Sequence, residues 1–249
     1  MPGAVRIGTS GWHYKHWKGA FYPEDLAASK MLDWYVRHFD TVEINNSFYK
    51  LPTEAALESW RDSTPEGFLF AMKGSRFLTH MKKLKDPEEG AARFMERVEV
   101  LGAKLGPILF QLPPFWGADA ARLEAFLAVL PPHRHYAFEF RNPTWHTREV
   151  YEILRRHNAA FCAWELSGAR SPVEVTADWA YVRLHGPEGP YQGSYHHDAL
   201  VEWATRIEKW KTRLGAIYVY FDNDQSGFAA QNARALRGMA GRYSHTRGS

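Results

Sequence analysis

Tyr181-Val182-Arg183-Leu184-His185 reads as a β-strand whose two faces differ in kind. Side chains alternate across a strand, so Arg183 and His185 share one face while Val182 and Leu184 share the other. Three more stretches repeat the pattern: Thr41-Val42-Glu43-Ile44-Asn45, Ala137-Phe138-Glu139-Phe140-Arg141 and Tyr218-Val219-Tyr220-Phe221-Asp222. Each is apolar on one face and ends in charged or amide groups on alternate positions. A parallel barrel suits such strands, because helices cover the apolar face and the C-terminal strand ends carry the chemistry.

Working outward, strand patterns fall at 5–8, 41–45, 68–73, 108–112, 136–140, 160–164, 180–184 and 216–222. Helical patterns with start signals lie between most of them. Ser29-Lys30-Met31-Leu32 opens one and Thr53-Glu54-Ala55-Ala56 another. In Asp86-Pro87-Glu88-Glu89, Asp86 is the expected N-cap with Pro87 at the first helical position. That helix is expected to run to Leu105 with a stripe of Phe94, Val98 and Leu101, ended by Gly106-Pro107. Others are expected from Asp119, His146, His197 and Ala229. Alternating strands and helices imply a parallel sheet, and eight strands favour closure. The expectation is an α/β fold, a (β/α)8 TIM-type barrel forming a single domain over 1–243. The stretch 165–178 carries Gly168 and Pro172 and little helical period, so the helix between strands six and seven is expected to be short or absent. Residues 244–249 read as a polar, mobile tail.

The length of 249 residues matches one such barrel, and 45% hydrophobic residues supply its core. A lone Cys162 in an apolar strand excludes a disulfide framework and a multi-cysteine zinc site. No stretch approaches the roughly 20 apolar residues a membrane span needs, and the N-terminus is too short and polar for a signal peptide. The expected compartment is the cytoplasm, with no membrane partner. A charge of +3, from 31 basic and 28 acidic residues, does not by itself argue for nucleic acid. Of ten tryptophans, Trp12, Trp17, Trp116 and Trp145 are flanked by polar residues, which suits ligand sites and helix–barrel seams equally.

Parity gathers Glu43, Asn45, Lys73, Gln111, Glu139, Arg141, Arg183, His185 and Asp222 on one face, toward the lumen near its top. Two readings follow. Glu43, Glu139 and Asp222 against Lys73, Arg141 and Arg183 balance in sign, as a structural ion-pair plug would. A ligand site is favoured, because apolar side chains could replace a plug at little cost.

Several segments together resemble the YecE-like family of barrel proteins, a domain of unknown function. They are Ile7-Gly8-Thr9-Ser10-Gly11-Trp12 with Trp17, Phe21-Tyr22-Pro23, Val42-Glu43-Ile44-Asn45-Asn46-Ser47-Phe48-Tyr49 and Phe70-Ala71-Met72-Lys73 with Thr79-His80. Gln111-Leu112-Pro113-Pro114, Glu139-Phe140-Arg141 with Trp145, Arg183-Leu184-His185-Gly186 and Tyr220-Phe221-Asp222-Asn223 with Asn232-Ala233 complete the set. The match spans nearly the whole chain. Asp222 departs from it, standing where the family more often has an amide. The resemblance implies an eight-stranded barrel of the triosephosphate isomerase type and no particular reaction.

Three functions of different classes fit these residues. The first is an enzyme acting on a small sugar-, phosphate- or nucleotide-like molecule, a hydrolase or an isomerase/lyase-type barrel enzyme. Glu43 and Glu139 would serve as acid and base beside Arg183 and His185. Trp12, Tyr14, Phe48 and Tyr49 would stack on the ligand, and Asn45, Lys73, Gln111, Arg141, Asp222 and Asn223 would bind it. The second is a metal-assisted phosphodiester hydrolase with Glu43, Glu139, His185 and Asp222 as candidate ligands for a divalent cation. The third is a non-catalytic nucleic-acid or phosphate binder using Arg76, His80, Lys82, Lys83 and Lys85 after the third strand. Tyr191-Gln192-Gly193-Ser194-Tyr195 is a candidate lid. No nucleotide-cofactor fingerprint is present, and the sequence carries no signal of oligomeric state.

Overall fold

The computed structural model describes residues 2–242. Its strands are β1 (Ala4–Thr9), β2 (Thr41–Ile44), β3 (Leu69–Lys73), β4 (Leu105–Leu112), β5 (Tyr136–Phe140), β6 (Ala160–Leu166), β7 (Ala169–Arg170), β8 (Trp179–Leu184) and β9 (Ala216–Phe221). The α-helices are α1 (Met31–Tyr35), α2 (Glu54–Ser63), α3 (Glu88–Val98), α4 (Ala120–Val129), α5 (Arg148–Arg156), α6 (His197–Lys211) and α7 (Phe228–Arg242). The strand order is β1-β9-β8-β6-β5-β4-β3-β2. The two ends of that path meet, because Ser10 and Glu43 form a parallel bridge. The fold is therefore the TIM-type barrel that eight alternating strands and helices predict. Every residue of β2, β5 and β8 is buried, as strands covered on both faces must be. Residues 244–249, read as a mobile tail, lie outside the described residues.

Two compact units make up the chain, with boundaries inside β2 and β6. The first holds residues up to 43, 163–171 and those from 178 on. Here β9 lies between β1 and β8 in parallel register, with Tyr220 opposite both Gly8 and Arg183. Helix α6 buries Leu200, Trp203, Ala204, Ile207 and Trp210, one stripe at helical spacing. The second unit, 44–162 with 172–177, contains β3, β4 and β5. Its core centres on Phe110, whose ring lies 4.9 Å from Phe126 and 5.4 Å from Phe138. Side chains cap three helices, with Thr53, Asp119 and Thr147 each accepting the backbone N–H three residues on.

Two local expectations are corrected. The helix after Pro87 stops at Val98 and gives way to a 3-10 segment, Glu99–Lys104, kinked at Gly102 (φ 56°). Gly102 ends the helical run, and Gly106-Pro107 lies inside β4. Asp86 does not cap α3; it has φ 44°, and Pro87 takes the cap position without a side-chain bond. Between β6 and β8 the chain makes a hairpin where a helix would ordinarily run, pairing Glu165 with Arg170 and Leu166 with Ala169. Its turn residues, Ser167 and Gly168, both have positive φ, the geometry that two-residue hairpin loops favour.

Candidate active site

Within the first unit, parity and register bring four strand ends together. Ser10 follows β1, Glu43 lies in β2, Arg183 lies in β8 with His185 just after it, and Asp222 follows β9. Glu43 is fully buried, and its carboxylate is met on both oxygens. Oε1 accepts from Arg183 Nε at 3.1 Å, from Nη2 at 2.7 Å and from the Ser10 hydroxyl, while Oε2 accepts from the Tyr181 hydroxyl at 2.6 Å. Arg183 Nη2 also donates to Asp222 Oδ2 at 3.0 Å. One guanidinium thus bridges two buried carboxylates, which satisfies the requirement that buried charge be paired and hydrogen-bonded.

His185 is held between these groups. Its Nε2 lies 3.3 Å from Arg183 Nη1, and its Nδ1 lies 3.0 Å from Asp222 Oδ2. A guanidinium has no acceptor, so in this contact Nε2 is the accepting atom. Burial pushes the Tyr181 hydroxyl well above its ordinary range, reinforced by Glu43, so it remains a neutral donor. Tyr14 donates to the Ser10 carbonyl at 2.6 Å. Its hydroxyl is raised by burial and then by Asp222, Asp224 and Glu43. Asp224 is likewise raised, by burial and by Asp222, with His16 acting against it at 3.5 Å.

The segment after β8 is held by hydrogen bonds to residues beyond β9. Asn223 Nδ2 donates to the Gly193 carbonyl at 2.8 Å and to Asn232 Oδ1 at 2.9 Å. Asn232 Oδ1 accepts from Tyr195 N at 3.1 Å, and Gln225 Oε1 accepts from Gly193 N at 3.1 Å. Tyr191 N donates to the His185 carbonyl at 2.7 Å, setting the Tyr191 ring 5.9 Å from the imidazole. Gly186 makes the tight turn possible: at φ 109°, an added Cβ would sit 2.2 Å from the Gln192 carbonyl oxygen.

The predicted site residues fall into two groups. Glu43, Arg183, His185 and Asp222 form the buried network, with Tyr14 beside it and Trp12 half-buried. Asn223, expected to bind ligand, is fully buried and spends its amide hydrogens on the loop. In the second unit Arg141 Nε pairs with Glu139, which is fully buried, and Cys162 Sγ lies 3.9 Å from Glu139 Oε2. Gln111 is the register neighbour of Glu139. Lys73 Nζ sits 4.7 Å from the centre of the Phe48 ring. Phe48 is buried, Asn45 half-buried, and Tyr49 80% exposed. Trp17 and Trp145 are core residues, each fully buried with its indole N–H on a backbone carbonyl.

Among the described residues, no three His, Cys, Asp or Glu side chains are grouped as a metal ion requires. Within the first unit the Arg183 guanidinium stands between Glu43 and Asp222. The basic rim after β3 is partly neutralised, with Lys82 and Lys85 at 3.9 and 4.0 Å from Asp86. Sequence reasoning missed Ser10, Tyr181 and Asn232. Tyr181 shares the parity of Arg183, and Ser10 that of Gly8, so alternation carried a signal for both. No helix among the described residues is long and apolar enough to cross a membrane.

Eight parallel strands in this order, alternating with helices and carrying an ion-paired cluster at strand ends, define a TIM-type barrel protein. Residues 6–248 match the family model for the protein of unknown function DUF72, and the chain belongs to that family. A DUF72 family protein from Thermotoga maritima is 30% identical, with a TM-score of 0.85 over 95% of this chain and 98% of that one. The UPF0759 protein YunF of Bacillus subtilis is 26% identical over 269 residues, covering 93% of each chain. The UPF0759 protein YecE of Escherichia coli O157:H7 is 28% identical over 232 residues, covering 83% of this chain and 82% of that one.

Proposed function

We propose that the protein is an enzyme acting on a small polar substrate, with the buried network of Glu43, Arg183, His185 and Asp222 as the frame of its site. One observation supports this above the others: His185 is held between Arg183 Nη1 and Asp222 Oδ2, at 3.3 and 3.0 Å. Asp222 beside Nδ1 and Arg183 beside Nε2 hold the imidazole in one place within the network. Glu43 and Arg183 act in this reading as the frame that orients Asp222 and His185. Tyr14 and Trp12, each half-buried, offer ring faces for a sugar or base.

The full enclosure of Glu43 by four donors favours a second reading, a purely structural ion-pair cluster. A thermal-shift screen of sugars, sugar phosphates and nucleotides distinguishes the two. The enzymatic reading expects a stabilising ligand whose effect disappears in His185→Gln while the fold is kept. If no member of the screen stabilises the protein, or His185→Gln binds the hit as well as wild type, the reading fails.

A further inference from the structure

The second unit carries a groove unrelated to the His185 network. It has a volume of about 750 Å³, within the range of small-molecule sites, and lies between the segment after β3 and the first turns of α3. Its apolar lining is Leu51, Phe77, Leu78 and Phe94. Leu78 and Phe94 are buried, whereas Phe77 leaves 45% of its surface exposed. The groove depends on unusual backbone. Phe77–Met81 is a π-turn, and the chain continues through left-handed Lys83, Leu84 and Asp86, none of them glycine. Gly90 allows α3 to approach closely, since an added Cβ would lie 2.8 Å from Leu78 Cδ2. Costly backbone of this kind persists where the surroundings over-determine it, and it clusters at functional sites.

Charge decides what the groove would hold. Lys50, Arg93 and Arg97 line it, and the last two are one helical turn apart on the same face of α3. Among the described residues, neither Lys50 nor Arg93 has a carboxylate within ion-pair distance. Arg97 Nη1 donates to the Pro52 carbonyl at 3.0 Å, which fixes the side chain without neutralising it. Asp86 lies near Lys82 and Lys85, and Glu88 and Glu89 occupy the first turn of α3, where the helix dipole favours negative charge.

We propose that this groove binds a small aromatic anion, its ring against Phe77 and its carboxylate or phosphate between Lys50 and Arg93. The inference is independent of the enzymatic reading, because the two use different residues.

Isothermal titration of the full chain with adenosine 5′-monophosphate, phenylacetate, adenosine and inorganic phosphate tests it. Saturable binding is expected for adenosine monophosphate, for phenylacetate, or for both, and the stronger of the two identifies the acid as phosphate or carboxylate. Arg93→Glu, at an exposed position, should weaken that binding about tenfold or more, and Phe77→Ala should weaken it as well. His185→Gln should leave it unchanged. Absence of saturable binding by either aromatic anion would overturn the proposal. So would unchanged affinity in Arg93→Glu, or inorganic phosphate or adenosine binding as tightly as the aromatic anions.

Discussion

Replacing Arg183 with Met removes the one cation between Glu43 and Asp222. The side chain is 1% exposed and donates to Glu43 through both Nε and Nη2, and to Asp222 through Nη2 at 3.0 Å. Removing one member of a buried ion pair costs roughly 3–5 kcal/mol, and two carboxylates lose the guanidinium here, so about 4 kcal/mol is expected for Arg183→Met. Glu43→Gln is milder. Arg183 keeps Asp222, and the loss is that of charge-assisted hydrogen bonds, about 2 kcal/mol. If the residues acted independently, the double variant would lose about 6 kcal/mol. A neutral amide in place of the Glu43 carboxylate leaves no stranded charge there, so the double variant is expected to lose about 3 kcal/mol, a coupling of similar size. Urea unfolding followed by tryptophan fluorescence measures each value, provided the slope against denaturant is unchanged. Coupling below about 0.5 kcal/mol would refute the bridging role of Arg183.

The remaining predictions concern the loop and the second unit. Asn232→Asp keeps the Oδ1 acceptor for Tyr195 N and Asn223, whereas Asn223→Asp sets a carboxylate against the Gly193 carbonyl and Asn232 Oδ1. Limited proteolysis should therefore cut residues 187–195 faster in Asn223→Asp than in Asn232→Asp, and equal rates would count against the clamp. In the second unit, burial first and then Lys73 and Arg76 lower the His80 imidazole from 6.5 to about 4. The unfolded chain then binds a proton that the folded chain does not. The stability this group contributes is complete above pH 6.5 and is lost as pH falls toward 4. An NMR titration of the His80 ring should show a midpoint near 4, and Lys73→Met should raise it only partway, since burial is the larger cause.

Local alternation made much of this legible. The strand patterns at 136–140 and 180–184 agree with β5 and β8 to within a residue, because a period of two is written into the chain itself. Where signals were weaker, reading failed. Gly106-Pro107 looks like a helix stop but sits in β4, and a left-handed Asp86 cannot be told from an N-cap by residue type. Fastening of 187–195 was equally hidden, since it rests on Asn223 and Asn232 reaching back from beyond β9.

By itself, the sequence determined that Glu43, Arg183, His185 and Asp222 belong to one class of inward, strand-end positions. Side-chain direction along a strand follows from backbone geometry two residues at a time. Tertiary structure decided which charge meets which. Arg183 bridges Glu43 and Asp222, Arg141 takes Glu139, and the imidazole lies between Arg183 and Asp222. The Arg183 pairings join residues as much as 140 positions apart and depend on the register between strands, which no local period encodes.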